Sequence, residues 1–325
     1  MSTLIMENNY KEILEQDLVK IDGLKREIFF QDTKETSPLI STFLEFVFEK
    51  KGKNLRPKLT LLSSKLYGET NRSTFLSSIL IDILHEATLL HDDVVDAAQL
   101  RRGVASANVV FGNKATVLMG DYLLSKMIEV CTKEKEYKLL EIISTTLVSL
   151  SKGELIQLNA TKENEVSVDQ LKKIAALKTG SLLKASCLSG AYSTGMEEEQ
   201  KESLSLYADK LGVAYQIKDD IIDYKDNSKE LFKDLKEGKV NFPMALALES
   251  VEKSVASEML VLIRDKENFK ENKDVIIEFL HANKGIEKAE NLQEDFTNQA
   301  VAIIKELTNS QDLIDFTEVI GKRVF

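Results

Sequence analysis

The stretch HEATLLHDDVVDAAQLRRG, residues 85–103, sets three carboxylates into an otherwise apolar helical pattern: Asp92, Asp93 and Asp96. At 3.6 residues per turn Asp92 and Asp96 stack one turn apart, and Asp93 lies within about 100° of both. Like charges on a buried-looking face repel one another and lose hydration, an arrangement that makes sense only when a cation or a basic partner neutralises them. All-oxygen ligation suits Mg²⁺, which keeps several waters and bridges carboxylates to phosphate oxygens. Arg101 and Arg102 follow at once, and guanidinium forks suit phosphate. A solvated acidic turn followed by a basic one would read the same way, so this stretch alone does not decide.

A second copy does. Residues 211–224, LGVAYQIKDDIIDY, carry Asp219, Asp220 and Asp223 around Ile221 and Ile222, with Gln216 one turn earlier on the same face. Two acidic helix faces far apart in sequence are expected to point at each other across a cavity and to hold several Mg²⁺ ions around one diphosphate. Other residues suit the same chemistry. In KGKNLRPKL, residues 51–59, Lys53 and Arg56 stand at a helix start, where unpaired backbone N–H groups add to their pull on an anionic headgroup. His85 lies two turns before Asp92 and so lines the acidic face, whereas His91 lacks that alignment and reads as structural. Lys178 and Thr179 interrupt the apolar AALKTGSLLKA with a cation and a hydroxyl, as a phosphate contact would.

The elements that must position these groups read as helices almost throughout, with no convincing alternating strand. They are expected over 4–30, 38–51, 55–67, 73–96, 104–111, 114–133, 136–161, 167–192 and 197–223, then 242–251, 254–267, 270–281, 284–308 and 311–321. The three prolines, Pro38, Pro57 and Pro243, each suit a helix opening. The longest non-helical stretch, about 225–241, is lysine-rich, directly follows the second acidic set and reads as a lid. No Pro-, Gly- or Ser-rich linker divides the chain, which reads as one domain over 1–325. A net charge of −10 argues against nucleic-acid binding through a basic surface. Cys131 and Cys187 show no ligand spacing and read as free thiols of a reducing compartment. With no hydrophobic signal core and no apolar run near the ~20 residues of a membrane span, a cytoplasmic location is expected, with at most transient membrane contact.

From about Lys51 to Pro243 the chain resembles the trans-polyprenyl diphosphate synthases, which join isoprenyl units head to tail. The family's first aspartate-rich motif, ending in RRG, matches Asp92, Asp93, Asp96, Arg101 and Arg102; the second matches Asp219, Asp220 and Asp223 after Gln216. Its GKxxRP element matches Lys53, Arg56 and Pro57, its KT pair Lys178 and Thr179. GDYLLS falls at Gly120–Ser125 and the DLxEGK element at Asp234–Lys239. The resemblance implies an all-α, single-domain helical bundle of the isoprenoid synthase type around a central cavity, and a homodimer. It implies that both aspartate sets hold Mg²⁺, about three ions per active site, on the diphosphate of an allylic primer such as farnesyl or geranylgeranyl diphosphate. Arg101, Lys178, Lys229 and Lys239 would assist there, and Lys53, Arg56, His85 and Arg102 would hold isopentenyl diphosphate.

In that family the residues four and five before the first aspartate, here Thr88 and Ala87, set product length. Both are small, so a long product of around hexa- to octaprenyl length is expected, with the floor deeper, among Met119, Leu123, Ile143 and Leu147. Three positions depart from the family pattern. Lys51 stands where glycine is usual, Asn54 where a basic residue is frequent, and Phe232 where a glycine commonly precedes the DL element. The alternatives are a short-chain farnesyl or geranylgeranyl diphosphate synthase, a terpene cyclase or head-to-head synthase, and a silent partner subunit. A cyclase would not need Lys53 and Arg56, and a silent partner would be expected to lose one aspartate set.

Overall fold

The computed structural model describes residues 2–31, 33, 37–49, 52–101, 103–163, 166–225 and 232–322. Lys51, Arg102 and Lys229 lie outside them. Packing divides the chain into two compact units, Met1–Thr146 with Ala185–Lys201, and Leu147–Lys184 with Glu202–Phe325.

In the first unit α1 (Ser2–Phe30), α2 (Pro38–Glu49) and α3 (Leu55–Ser64) lead to α4 (Arg72–Val95). A reciprocal cap starts α4: the Asn71 side chain accepts the Thr74 N–H at 3.1 Å, and the Thr74 hydroxyl accepts the Asn71 N–H at 3.2 Å. Leu76, Ile79, Leu80, Ile81, Ile83 and Leu84 are all buried, so α4 is apolar all round because it is the core helix of this unit. Contrary to expectation, α4 is long and apolar enough to cross a membrane by length and composition; its apolar side chains are instead used in packing on α3 and on a later helix, Asn113–Lys133.

After α4 the chain turns through Ala97, at φ +48°, into a hairpin that the sequence did not suggest. β1 (Leu100–Arg101) pairs antiparallel with β2 (Val104–Ala105) around Gly103, at φ +79°. The Ser106 hydroxyl donates to the Ala98 carbonyl at 2.5 Å and its N–H to the Gln99 carbonyl at 3.1 Å. The helix expected over 104–111 is therefore shortened to α5 (Ala107–Phe111). α6 (Asn113–Lys133) and α7 (Tyr137–Glu163) follow, the latter running on into the second unit.

The second unit is built on α8 (Val168–Ala175), α9 (Ser181–Ser193, which ends in the first unit) and α10 (Lys201–Lys225). The single helix expected over 167–192 is interrupted by a π turn, Ala176–Gly180, which carries Lys178 and Thr179; such turns re-aim side chains within a helix. Its Gly180 meets Gly212 of α10 so closely that a Cβ on Gly212 would stand 2.3 Å from the Gly180 Cα. Among its described residues, the stretch expected to be non-helical holds one short helix, α11 (Lys233–Lys236), before α12 (Phe242–Leu248). The remaining helices are α13 (Lys253–Arg264), α14 (Phe269–Ala282), α15 (Gly285–Lys305) and α16 (Gln311–Lys322). Val213, Ile217 and Ile221 of α10 share a core with Phe242, Ala245 and Ala289.

The sign of one substitution tests the glycine contact. In an unconstrained helix Gly→Ala stabilises by up to about 1 kcal/mol. Gly212→Ala should instead destabilise by about 1–3 kcal/mol, because backbone cannot yield as a side chain does. Urea denaturation of the two proteins reads the difference.

Candidate active site

The three aspartates of the first set are not equivalent. Asp93 is buried, and Arg101 of the hairpin closes on it, Nε and one terminal nitrogen both donating to Oδ1 at 2.8 and 2.5 Å. The Asp93 carbonyl accepts the Ala98 N–H at 2.9 Å, so this residue also fixes the exit from α4. Asp92 is half-buried, and Asp96, the C-cap of α4, is exposed. Thus Arg101, expected on phosphate, is paired with the carboxylate that the fold buries.

The second set divides the same way. Asp219 is exposed, whereas Asp220 is buried and accepts the Phe242 N–H at 3.0 Å on one oxygen and the Gln216 amide at 2.9 Å on the other. Thr179 donates to the Gln216 carbonyl oxygen at 2.6 Å, which fixes the amide so that its nitrogen faces Asp220. Asp223 accepts the N–H groups of Lys233 and Asp234 at 3.1 and 3.3 Å and so caps α11. Asp234 in turn accepts from Asn241 at 3.0 Å, and Asn241 accepts the Tyr224 hydroxyl at 2.6 Å.

This crowding shifts the acids. Burial, reinforced by the charge of Asp234, pushes the Asp220 carboxyl well above the ordinary range, against the pull of its two hydrogen bonds. Burial and then Asp234 raise Asp223, and burial raises Asp234 itself. A donor set that holds excess negative charge at a cost to itself fits a divalent cation. Among the described residues no three His, Cys, Asp or Glu side chains converge into a complete cage.

Lys178 is held by two residues the sequence reading missed. Its ammonium pairs with Glu154 and donates to Gln157 at 2.7 Å. Gly153 makes room, since a Cβ there would lie 2.8 Å from the Lys178 Cγ. The signal was GELIQ within α7: a helix-interior glycine followed by polar residues three apart, which share a face.

Lys53 is exposed and Arg56 half-buried at the start of α3, where Asn54 is the N-cap in the left-handed region at φ 51°. Asn tolerates that conformation better than Lys or Arg, which gives the departure at Asn54 a structural reason. His85 is half-buried, and its carbonyl accepts the Thr88 hydroxyl at 2.8 Å. Ala87 is fully buried. His91 is 3.2 Å from the Val117 carbonyl, in a notch that Gly120 leaves open, consistent with its structural reading. Lys239 pairs with Glu237 at 2.7 Å.

The family model for polyprenyl synthetase matches residues 37–280, and the chain belongs to that family. It is similar to the decaprenyl-diphosphate synthase of Dictyostelium discoideum, with 33% identity over 301 residues. That alignment covers 90% of this chain but only 64% of the Dictyostelium protein. It is 28% identical over 303 residues to the octaprenyl diphosphate synthase of Escherichia coli (strain K12), covering 92% of each chain. A crystal structure of polyprenyl synthase from Caulobacter crescentus CB15, complexed with calcium and isoprenyl diphosphate, superposes with a TM-score of 0.84. Identity there is 28%, over 95% of this chain and 94% of that one. The fold is the all-α isoprenoid synthase fold, and the protein is a prenyltransferase that uses a divalent metal.

The raised acids predict a pH dependence. A folded-state pKa above the unfolded one gives stability that is complete below the unfolded pKa and is lost as pH rises through the folded pKa. For Asp220, Asp223 and Asp234 that window opens at the ordinary carboxylate pKa of about 4 and extends upward. The melting temperature of metal-free protein should therefore fall as pH rises through this window, and saturating Mg²⁺ should flatten the slope. Asp234→Asn should flatten it without metal; a slope unchanged in that variant would sink the account.

Proposed function

We propose that this chain condenses isopentenyl diphosphate with an allylic diphosphate primer, farnesyl or geranylgeranyl diphosphate. The product is a long-chain polyprenyl diphosphate of around hexa- to octaprenyl length, the metal is Mg²⁺, at about three ions per site, and the location is cytoplasmic. The observation that carries this reading is a family match running through both units together with two acidic sets built alike. In each, one aspartate is buried and held by protein donors while another stays exposed.

Asp92, Asp96 and Asp219 are the aspartates we assign to the metal, with Asp93, Asp220 and Asp223 holding them in place. Bound there, Mg²⁺ supplies charge neutralisation for a departing diphosphate. Lys178, Lys239 and Lys229 add positive charge on the allylic diphosphate, and Arg101 acts through its grip on Asp93. Lys53, Arg56, His85 and Arg102 hold isopentenyl diphosphate, keeping its alkene near the allylic carbon. The allylic C–O bond breaks with its electron pair leaving on diphosphate, the alkene carbon bonds to the allylic cation, and a proton is lost to the released diphosphate. No side-chain nucleophile is required.

Support for a long product comes from the relatives' names and from the small, buried Ala87. Support for a homodimer comes from apolar side chains left exposed on α6, Val117, Leu118 and Ile128, and on α7, Val148, Leu155 and Leu158.

Mass spectrometry of products formed with Mg²⁺, isopentenyl diphosphate and each of the dimethylallyl, geranyl, farnesyl and geranylgeranyl primers tests the reading. A ladder ending at one long chain is expected. Termination at farnesyl or geranylgeranyl length would make this a short-chain enzyme, and hydrocarbon or alcohol from the primer alone would make it a cyclase. Ala87→Phe, checked for folding by circular dichroism, should shorten the product; an unchanged ladder would show that Ala87 does not set product length.

A further inference from the structure

Phe232 adopts φ 61°, ψ 31°, the left-handed region where glycine sits without strain and a bulky residue does not. The turn has a purpose: it aligns three successive N–H groups on one residue. Those of Phe232, Lys233 and Asp234 meet the Asp223 carbonyl at 2.9 Å and its two carboxylate oxygens at 3.1 and 3.3 Å. Glycine would serve that backbone at lower cost; what Phe232 adds is its ring.

It is anchored on two sides. It packs edge-on against Tyr224, centroids 5.7 Å apart and planes at 75°, and the Lys273 ammonium lies 5.0 Å over it. It also covers the core formed by Leu235, Met244, Ile263 and Leu280. Tyr224 reaches on through Asn241 to Asp234, so the ring braces both ends of the segment that caps Asp223.

We propose that Phe232 is a positioning residue: its ring locks the left-handed turn and thereby holds Asp223, and with it the second acidic face, in the conformation that receives metal and diphosphate. The assignment to metal and diphosphate rests on the function proposed above; the locking of the turn does not.

The test uses full-length wild type, Phe232→Gly and Phe232→Tyr. Hydrogen exchange of amides across 232–236 should quicken about tenfold or more in Phe232→Gly and stay at the wild-type rate in Phe232→Tyr. In calorimetric titrations of Mg²⁺ in the presence of inorganic diphosphate, Phe232→Gly should weaken binding about three- to tenfold, with Phe232→Tyr restoring it. In turnover assays KM for the primer should rise in step, while kcat and KM for isopentenyl diphosphate hold within about twofold. Exchange at or below the wild-type rate in Phe232→Gly would show that relief of strain outweighs the ring, and the proposal falls. Faster exchange with unaltered Mg²⁺ binding would make the ring a purely structural brace, and the positioning role falls. A wild-type protein that binds Mg²⁺ and diphosphate but makes no polyprenyl product removes the function reading alone.

Discussion

A carboxylate taken out of water needs its lost hydration replaced by protein donors, and much of the second unit is arranged around meeting that need at Asp220. Its partners are a backbone N–H at the start of α12 and the amide of Gln216. The next residue, Pro243, has no N–H to offer, and the Phe242 amide is the one that reaches Asp220. Gln216 serves only in one orientation, which the Thr179 hydroxyl sets. Thr179 sits in the π turn, and the π turn lies where Gly180 and Gly212 bring two backbones together. A single buried acid thus links the position of a loop, the phase of a helix and the choice of glycine at two places.

In the first unit a different donor meets the same need. Asp93 is satisfied by Arg101, a side chain eight residues on, which the first strand of the hairpin carries back toward it. A charged donor does for Asp93 what a neutral amide and a backbone N–H do for Asp220. The neutral donors leave burial to push the Asp220 carboxyl well above its ordinary range. Lys178 shows the converse arrangement, a cation kept in place by Glu154 and Gln157.

The aspartates, the KT pair and nearly every helix were legible in the sequence, because helical periodicity and the placement of charges within apolar runs are local signals. The hairpin was not. Its strands are two residues long, too short for alternation to register, and the Ser106 bonds that end the turn look like any serine in sequence. The π turn left no local trace either, since Gly180 owes its role to Gly212, far along the chain. The division of labour among the aspartates was equally invisible. The spacing puts three on one face, but tertiary donors decide which of them the fold claims. Phe232 stood out by type alone; the structure added the left-handed turn and the ring contacts that explain why a bulky residue can sit there.

The unequal duties within each aspartate set bear on how such motifs persist over evolutionary time. In the second set, folding alone is reason enough to retain Asp220 and Asp223, because without them Phe242, Lys233 and Asp234 lose the acceptors of their amides. A chain can thus keep two letters of the motif for its architecture alone, so Asp220 and Asp223 speak first for the fold and only through it for the chemistry.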